Sequence, residues 1–74
     1  MVKIKSKVRY YVSKSYLKNI DLPHYYEVYS TDDPDVVCIE FSYKGSLSKL
    51  IKLTRKIRPI EYEYDDITLY IRRR

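Results

Sequence analysis

Apolar and polar residues alternate from the first positions of the chain. Val2, Ile4, Val8, Tyr10 and Val12 fall on one side of an extended segment, and Lys3, Lys5, Lys7, Arg9 and Tyr11 fall on the other. That period of two predicts a half-buried strand over residues 2–12. The period then changes in SKSYLKNIDLP. Ser13 is suited to an N-cap, Tyr16, Leu17 and Ile20 share one side, and Pro23 is a stop, so a short helix is expected there. Residues 24–31 and 36–44 are rich in Tyr, Val, Ile and Phe and flank Asp32-Asp33-Pro34-Asp35. They read as an antiparallel pair around a turn.

GSLSKLIKLTRKI carries the strongest helical period. Leu47, Leu50, Ile51, Thr54 and Ile57 form its stripe, and Lys49, Lys52, Arg55 and Lys56 take the opposite side. The closing segment, PIEYEYDDITLYIRRR, is expected to be a hairpin turning at Asp65-Asp66. That register sets Tyr64 opposite Ile67, Tyr62 opposite Leu69 and Ile60 opposite Ile71, so the apolar residues share a face. Asp-Asp is a weaker turn than Asn-Gly, which leaves a single bent strand as the alternative.

The order β-α-β-β-α-β, with the extra C-terminal hairpin, predicts a small α+β domain over residues 1–74. The expected architecture is a two-layer ferredoxin-like sandwich, an antiparallel sheet with both helices on one face. The other face is then open. No apolar run approaches the roughly 20 residues a bilayer crossing needs. The alternating N-terminus does not read as a signal peptide. One cysteine, Cys38, excludes an internal disulfide, and the expected location is the cytoplasm. The chain has no Gln, Ala or Trp, and Lys, Ile, Tyr and Arg dominate. This composition suits a thermophilic archaeon or an archaeal virus.

Charge falls in blocks. Residues 1–18 hold six cations and no acid, and residues 19–43 hold six acids and no Lys or Arg. Residues 44–58 return six cations, Lys44, Lys49, Lys52, Arg55, Lys56 and Arg58, and the chain ends on Arg72, Arg73 and Arg74. The alternating cations of the first strand are expected to form a salt-bridge ladder, because Glu27, Glu40, Glu61 and Glu63 would share their face. The surplus is then on the second helix and the basic tail 72–74. Clustered cations without acids suit a polyanion, through counterion release.

Catalytic chemistry is not suggested. His24 is the only histidine, and Cys38 lies in a strand with no cation run beside it. Asp32, Asp33 and Asp35 lack the glycine and the distant glutamate of an EF-hand loop. Gly45 is the single glycine, so no phosphate-cradling loop is available. No enzyme, metal or cofactor is expected.

Tyr11, Tyr25, Tyr29 and Tyr70 are expected on the open face. Exposed aromatics on a sheet stack unpaired bases in RRM-like domains, but the RRM signature is absent and only Lys44-Gly45 is shared with it. A tyrosine-bearing face is equally a protein interface. The stretch VVCIEFSYKGSLSKLIKLTRKI, a strand passing through a Ser-Leu step into a helix, resembles Pcc1-like small subunits of the KEOPS tRNA-modification complex. The resemblance covers less than a third of the chain, lacks that family's Asn-Ser, and has no counterpart for the closing hairpin. It implies a dimerisation platform.

Two functions follow as expectations. The first is a non-catalytic accessory protein that binds RNA or DNA phosphates through the second helix and the Arg tail. The second is a protein-interaction subunit, a homodimeric scaffold or a viral inhibitor of a host factor, docking through the tyrosine-bearing face.

Overall fold

β1 (Lys3–Ser13) is the middle of the architecture, with both of its edges hydrogen-bonded. The structure, a computed structural model, describes residues 3–22 and 25–70. His24 and Arg72–Arg74 lie outside the described residues, as does the side chain of Tyr70. The elements that follow β1 are a 3₁₀ turn η1 (Lys14–Asn19), β2 (Glu27–Ser30), β3 (Val36–Ser46), helix α1 (Leu47–Ile57) and β4 (Glu61–Tyr70). The four strands form one antiparallel sheet in the order β2-β3-β1-β4. This is an α+β arrangement with one α-helix among the described residues. None of its helices is long and apolar enough to cross a membrane.

The alternation of β1 decides which face becomes the core. Ile4, Val8, Tyr10 and Val12 are buried against Ile39, Phe41 and Tyr43 of β3 and against Leu50 and Ile57 of α1. Tyr10 meets Phe41 edge-on, with centroids 5.4 Å apart, a favoured aromatic geometry. Ser6 occupies the one polar position on this buried face. It is buried because its hydroxyl donates to the Asp65 carbonyl at 2.9 Å.

That hydrogen bond marks the main departure from the expected fold. Residues 61–70 do not turn at Asp65-Asp66. β4 is a single strand, with Lys7 opposite Asp65 and Lys5 opposite Thr68. Asp66 and Ile67 together oppose Ser6, a β-bulge, and Asp66 has a φ of 54°. Aspartate tolerates the left-handed region. The Asp-Asp pair therefore bends one strand instead of reversing it.

The first predicted helix is also different. η1 is a 3₁₀ segment of six residues in which Ser13 Oγ accepts from the Tyr16 N–H at 3.2 Å. The cap is as expected, but Ile20 is already extended. So few residues cannot build a helical stripe, and a short segment settles into the tighter turn. None of its residues is fully buried; Tyr16 and Leu17 pack partly against the core.

α1 keeps the predicted extent with a rotated stripe. Leu50, Thr54 and Ile57 are buried, Leu53 packs beside them, and Ile51 turns outward. The lead into the helix depends on Gly45. Its φ of 155° disfavours other residues, and a Cβ there would stand 3.0 Å from the Tyr43 hydroxyl. That hydroxyl donates to the Ser46 carbonyl at 2.7 Å. Gly45 thus sits near the end of β3, opposite Ile4, one residue before Ser46 caps the helix. At the far end Arg58 adopts the left-handed conformation, its N–H bonding the Thr54 carbonyl, and Pro59 prevents continuation.

One polar node lies between helix and sheet. Thr54 Oγ1 donates to the Leu50 carbonyl at 3.0 Å, so it accepts from the Tyr10 hydroxyl at 2.7 Å and the Tyr64 hydroxyl at 2.6 Å. Every hydrogen-bonding site on that oxygen is used. Thr54→Val keeps the volume but removes the acceptor of two phenols. It should lower stability by about 1–3 kcal/mol, read from urea unfolding.

Burial pushes the Tyr10 phenol up to about 12. Between the ordinary value of 10.0 and that value, the folded protein keeps a proton the unfolded chain has lost. Stability from this group is complete below about pH 10 and declines as pH rises toward about 12. The urea midpoint should fall across this window, and less steeply in Tyr10→Phe.

Candidate nucleic-acid interface

The open face of the sheet is built from the residues that alternate with the core. Lys3, Lys5, Lys7, Arg9 and Tyr11 of β1 project there, together with Lys44, Ser42, Glu40 and Cys38 of β3. Glu27 and Tyr29 join from β2, and Glu61, Glu63 and Asp65 from β4. Five cations therefore face five acids among the described residues.

Arg9 holds the centre of this face. Its Nε donates to Glu40 Oε2 at 2.9 Å, and its Nη1 bonds Asp65 and lies 3.5 Å from Glu63 Oε2. The hydrogen bond donated to Asp65, then that donated to Glu40, raises the guanidinium pKa well above its ordinary value. Lys7 Nζ reaches Glu40 Oε1 at 3.8 Å. The cations and acids of this face are interleaved as expected, and Asp65 joins the predicted glutamates. Glu63 faces Arg9 and Glu61 faces Tyr11, and Asp65 takes the place opposite Lys7.

The tyrosines of this face serve its charge network. The Tyr11 hydroxyl donates to Glu63 at 3.3 Å and the Tyr29 hydroxyl to Glu27 at 2.9 Å. Tyr25 precedes β2 and is 85 % exposed. Arg9, Tyr11, Tyr29, Asp32, Cys38 and Glu40 line a shallow hollow of about 460 Å³. Cys38 is nearly covered at its floor, and burial pushes its thiol pKa up, which favours the unreactive form. The aspartates of residues 32–35 form a turn. The Asp33 carboxylate accepts from the Asp35 N–H at 2.9 Å, and the Thr31 hydroxyl oxygen accepts from the Asp33 N–H at 3.2 Å.

α1 presents the opposite electrostatics. Lys49, Lys52, Arg55 and Lys56 are exposed along its outer side, and Arg58 is exposed at its C-cap. Among the described residues no carboxylate lies within 4 Å of any of them. Five of the predicted cations are thus brought together; Lys44 stands on the open face opposite Lys5, and Arg72–Arg74 lie outside the described residues. Lys52 has cations three positions before it and three and four positions after it. Like charges at these spacings weaken a helix by a few tenths of a kcal/mol each. Arg55 and Lys56 at the C-terminal turn recover part of that from the helix dipole.

A groove of about 680 Å³ lies between α1 and β4, lined by Ile51, Thr54, Arg55, Arg58, Tyr62 and Tyr64. The Tyr62 and Tyr64 rings are tilted at 41°, with centroids 5.3 Å apart. Sequence reasoning placed the available aromatics on the open face. It missed Ile60, Tyr62, Ile67 and Leu69, which are exposed on or beside β4. The apolar alternation of residues 60–69 signalled a shared face, but nothing in it indicated that the helix would stop short of that face.

No protein-family model, curated protein or solved structure matches the chain.

Removing the central cation should expose what it neutralises. In Arg9→Met, Glu40, Glu63 and Asp65 lose their shared partner. Its urea midpoint should lie below that of the unsubstituted protein, and the gap should narrow as added salt screens the repulsion among the three carboxylates.

Proposed function

We propose that this is a small non-catalytic nucleic-acid-binding protein that meets RNA or DNA phosphates through α1. One observation carries the reading: Lys49, Lys52, Arg55, Lys56 and Arg58 are exposed without acid partners, while Lys7 and Arg9 of the sheet are paired. A cation-only helix face carries internal repulsion, which a polyanion relieves while releasing its own counterions. Arg72, Arg73 and Arg74 follow β4 in the sequence and add three cations to the same binding function. Contacts of this kind position a backbone without reading bases.

The fold behind this reading is a ferredoxin-like sandwich whose first helix is reduced to a 3₁₀ turn, supported by the all-antiparallel order with β1 and β3 central. The charge-rich composition, poor in labile residues, supports a thermophilic archaeal or archaeal viral source and a cytoplasmic setting. A second reading is a protein-interaction subunit docking through the open face, favoured by the exposure of Tyr25 and Tyr29 at one flank.

Titration with single- and double-stranded oligonucleotides across a salt series tests the first reading. With up to eight phosphates engaged by α1 and the arginine tail, the logarithm of duplex affinity should fall with the logarithm of salt at a slope no steeper than about −7. A Lys49/Lys52/Lys56→Glu variant should lose at least about tenfold at low salt and show a shallower slope. Weak binding, independent of salt and equal in both proteins, would reject it.

A further inference from the structure

The groove between α1 and β4 joins two kinds of side chain. One wall carries Arg55, in the last turn of α1, and Arg58 at its C-cap; the other carries Tyr62 and Tyr64 of β4. Neither arginine has a carboxylate within 4 Å among the described residues. The tyrosines of the open face are placed differently, because Tyr11 and Tyr29 donate to Glu63 and Glu27. A phosphate chain passing those rings would meet carboxylates. One passing Tyr62 meets guanidinium groups.

The Tyr62 ring is both exposed and held. Tyr62 stands opposite Tyr10 of β1, on the helix side of the sheet. The Tyr64 hydroxyl bonds Thr54 Oγ1 at 2.6 Å, which ties its ring to α1. Tyr62 leans on that ring, with centroids 5.3 Å apart, and is still 55 % exposed. A supported aromatic ring gives up little conformational entropy when a flat ligand lies on it. The groove holds about 680 Å³, and Ile51 adds an apolar border from α1. That volume lies within the range of small-ligand sites.

We propose that this groove takes an unpaired nucleotide of single-stranded RNA or DNA, its base stacked on Tyr62 and its phosphates met by Arg55 and Arg58. The proposal rests on the nucleic-acid reading of α1 and adds a strand preference to it. Phosphates are common to single strands and duplexes, whereas a paired base has its faces covered by its neighbours in the stack. Only an unpaired base offers a face to an aromatic side chain. Every base has such a face, so the groove selects strandedness and not sequence.

The chain contains no tryptophan, so Tyr62→Trp places a single indole in the groove. Its emission should be quenched by oligothymidylate and not by a duplex of the same length. An abasic strand, which keeps the phosphates and lacks the bases, should bind without quenching. Tyr62→Thr retains a strand-forming residue at an exposed position and should fold, as circular dichroism can check. It should lose at least about fivefold in affinity for the single strand and leave duplex affinity unchanged.

Arg58 separates binding from folding. It holds a left-handed backbone, φ 55°, that glycine adopts most readily. Arg58→Gly should leave the urea midpoint unchanged or raise it, and should reduce the single-strand salt slope by about 0.7.

Single strand and duplex bound equally, with the emission of Tyr62→Trp unmoved by either, would overturn this proposal and leave the phosphate contacts of α1 standing. Absence of binding to both would overturn the two together. Poly-glutamate bound as tightly as the single strand, with the same dependence on Tyr62, would assign the groove to an acidic protein and overturn it equally.

Discussion

One guanidinium organises the electrostatics of this chain. Arg9 sits midway along β1, one of the two central strands, and its bonds reach Glu40 on β3 and both Glu63 and Asp65 on β4. Three carboxylates from two flanking strands would repel one another on a shared face. With Arg9 among them they become cross-strand ties. Acids drawn into that network cannot neutralise the helix on the other side of the sheet. The separation of a balanced front from a cationic back therefore originates at a single residue of β1.

The second constraint is how much of the sheet one helix can cover. An eleven-residue α1 seals β1 and β3, anchored through Thr54 by phenols from two different strands. η1 adds only partial cover from Tyr16 and Leu17. β4 consequently holds its place through backbone pairing with β1 and through Tyr64, while its remaining apolar residues face outward. The basic helix and the uncovered strand are adjacent consequences of the same shortage of helix.

Much of this could be read from the residues. The strict alternation of β1 specified its buried and open faces, because a period of two leaves no freedom once one side is apolar. The existence of α1 followed from its 3.6-residue period. The ladder was legible from charge and its register was not. Two adjacent aspartates suit a turn and a bulge alike, and only the hydroxyl of Ser6 against the Asp65 carbonyl selects the bulge. The shift of the helical stripe from Ile51 to Leu53 and the collapse of the first helix depend on tertiary packing, which local periodicity does not encode. The period of residues 47–57 made the cations of α1 legible as one helix face; Lys44 stands apart from them because it belongs to β3, opposite Lys5.

The most direct measurement of the charge separation is an amide chemical-shift map of the isotopically labelled protein titrated with a short oligonucleotide at low salt. Shifts concentrated on residues 47–58, with the strand around Arg9 unmoved, are the predicted result. Shifts centred on Lys3, Lys5, Lys7 and Arg9, with α1 silent, would contradict the account.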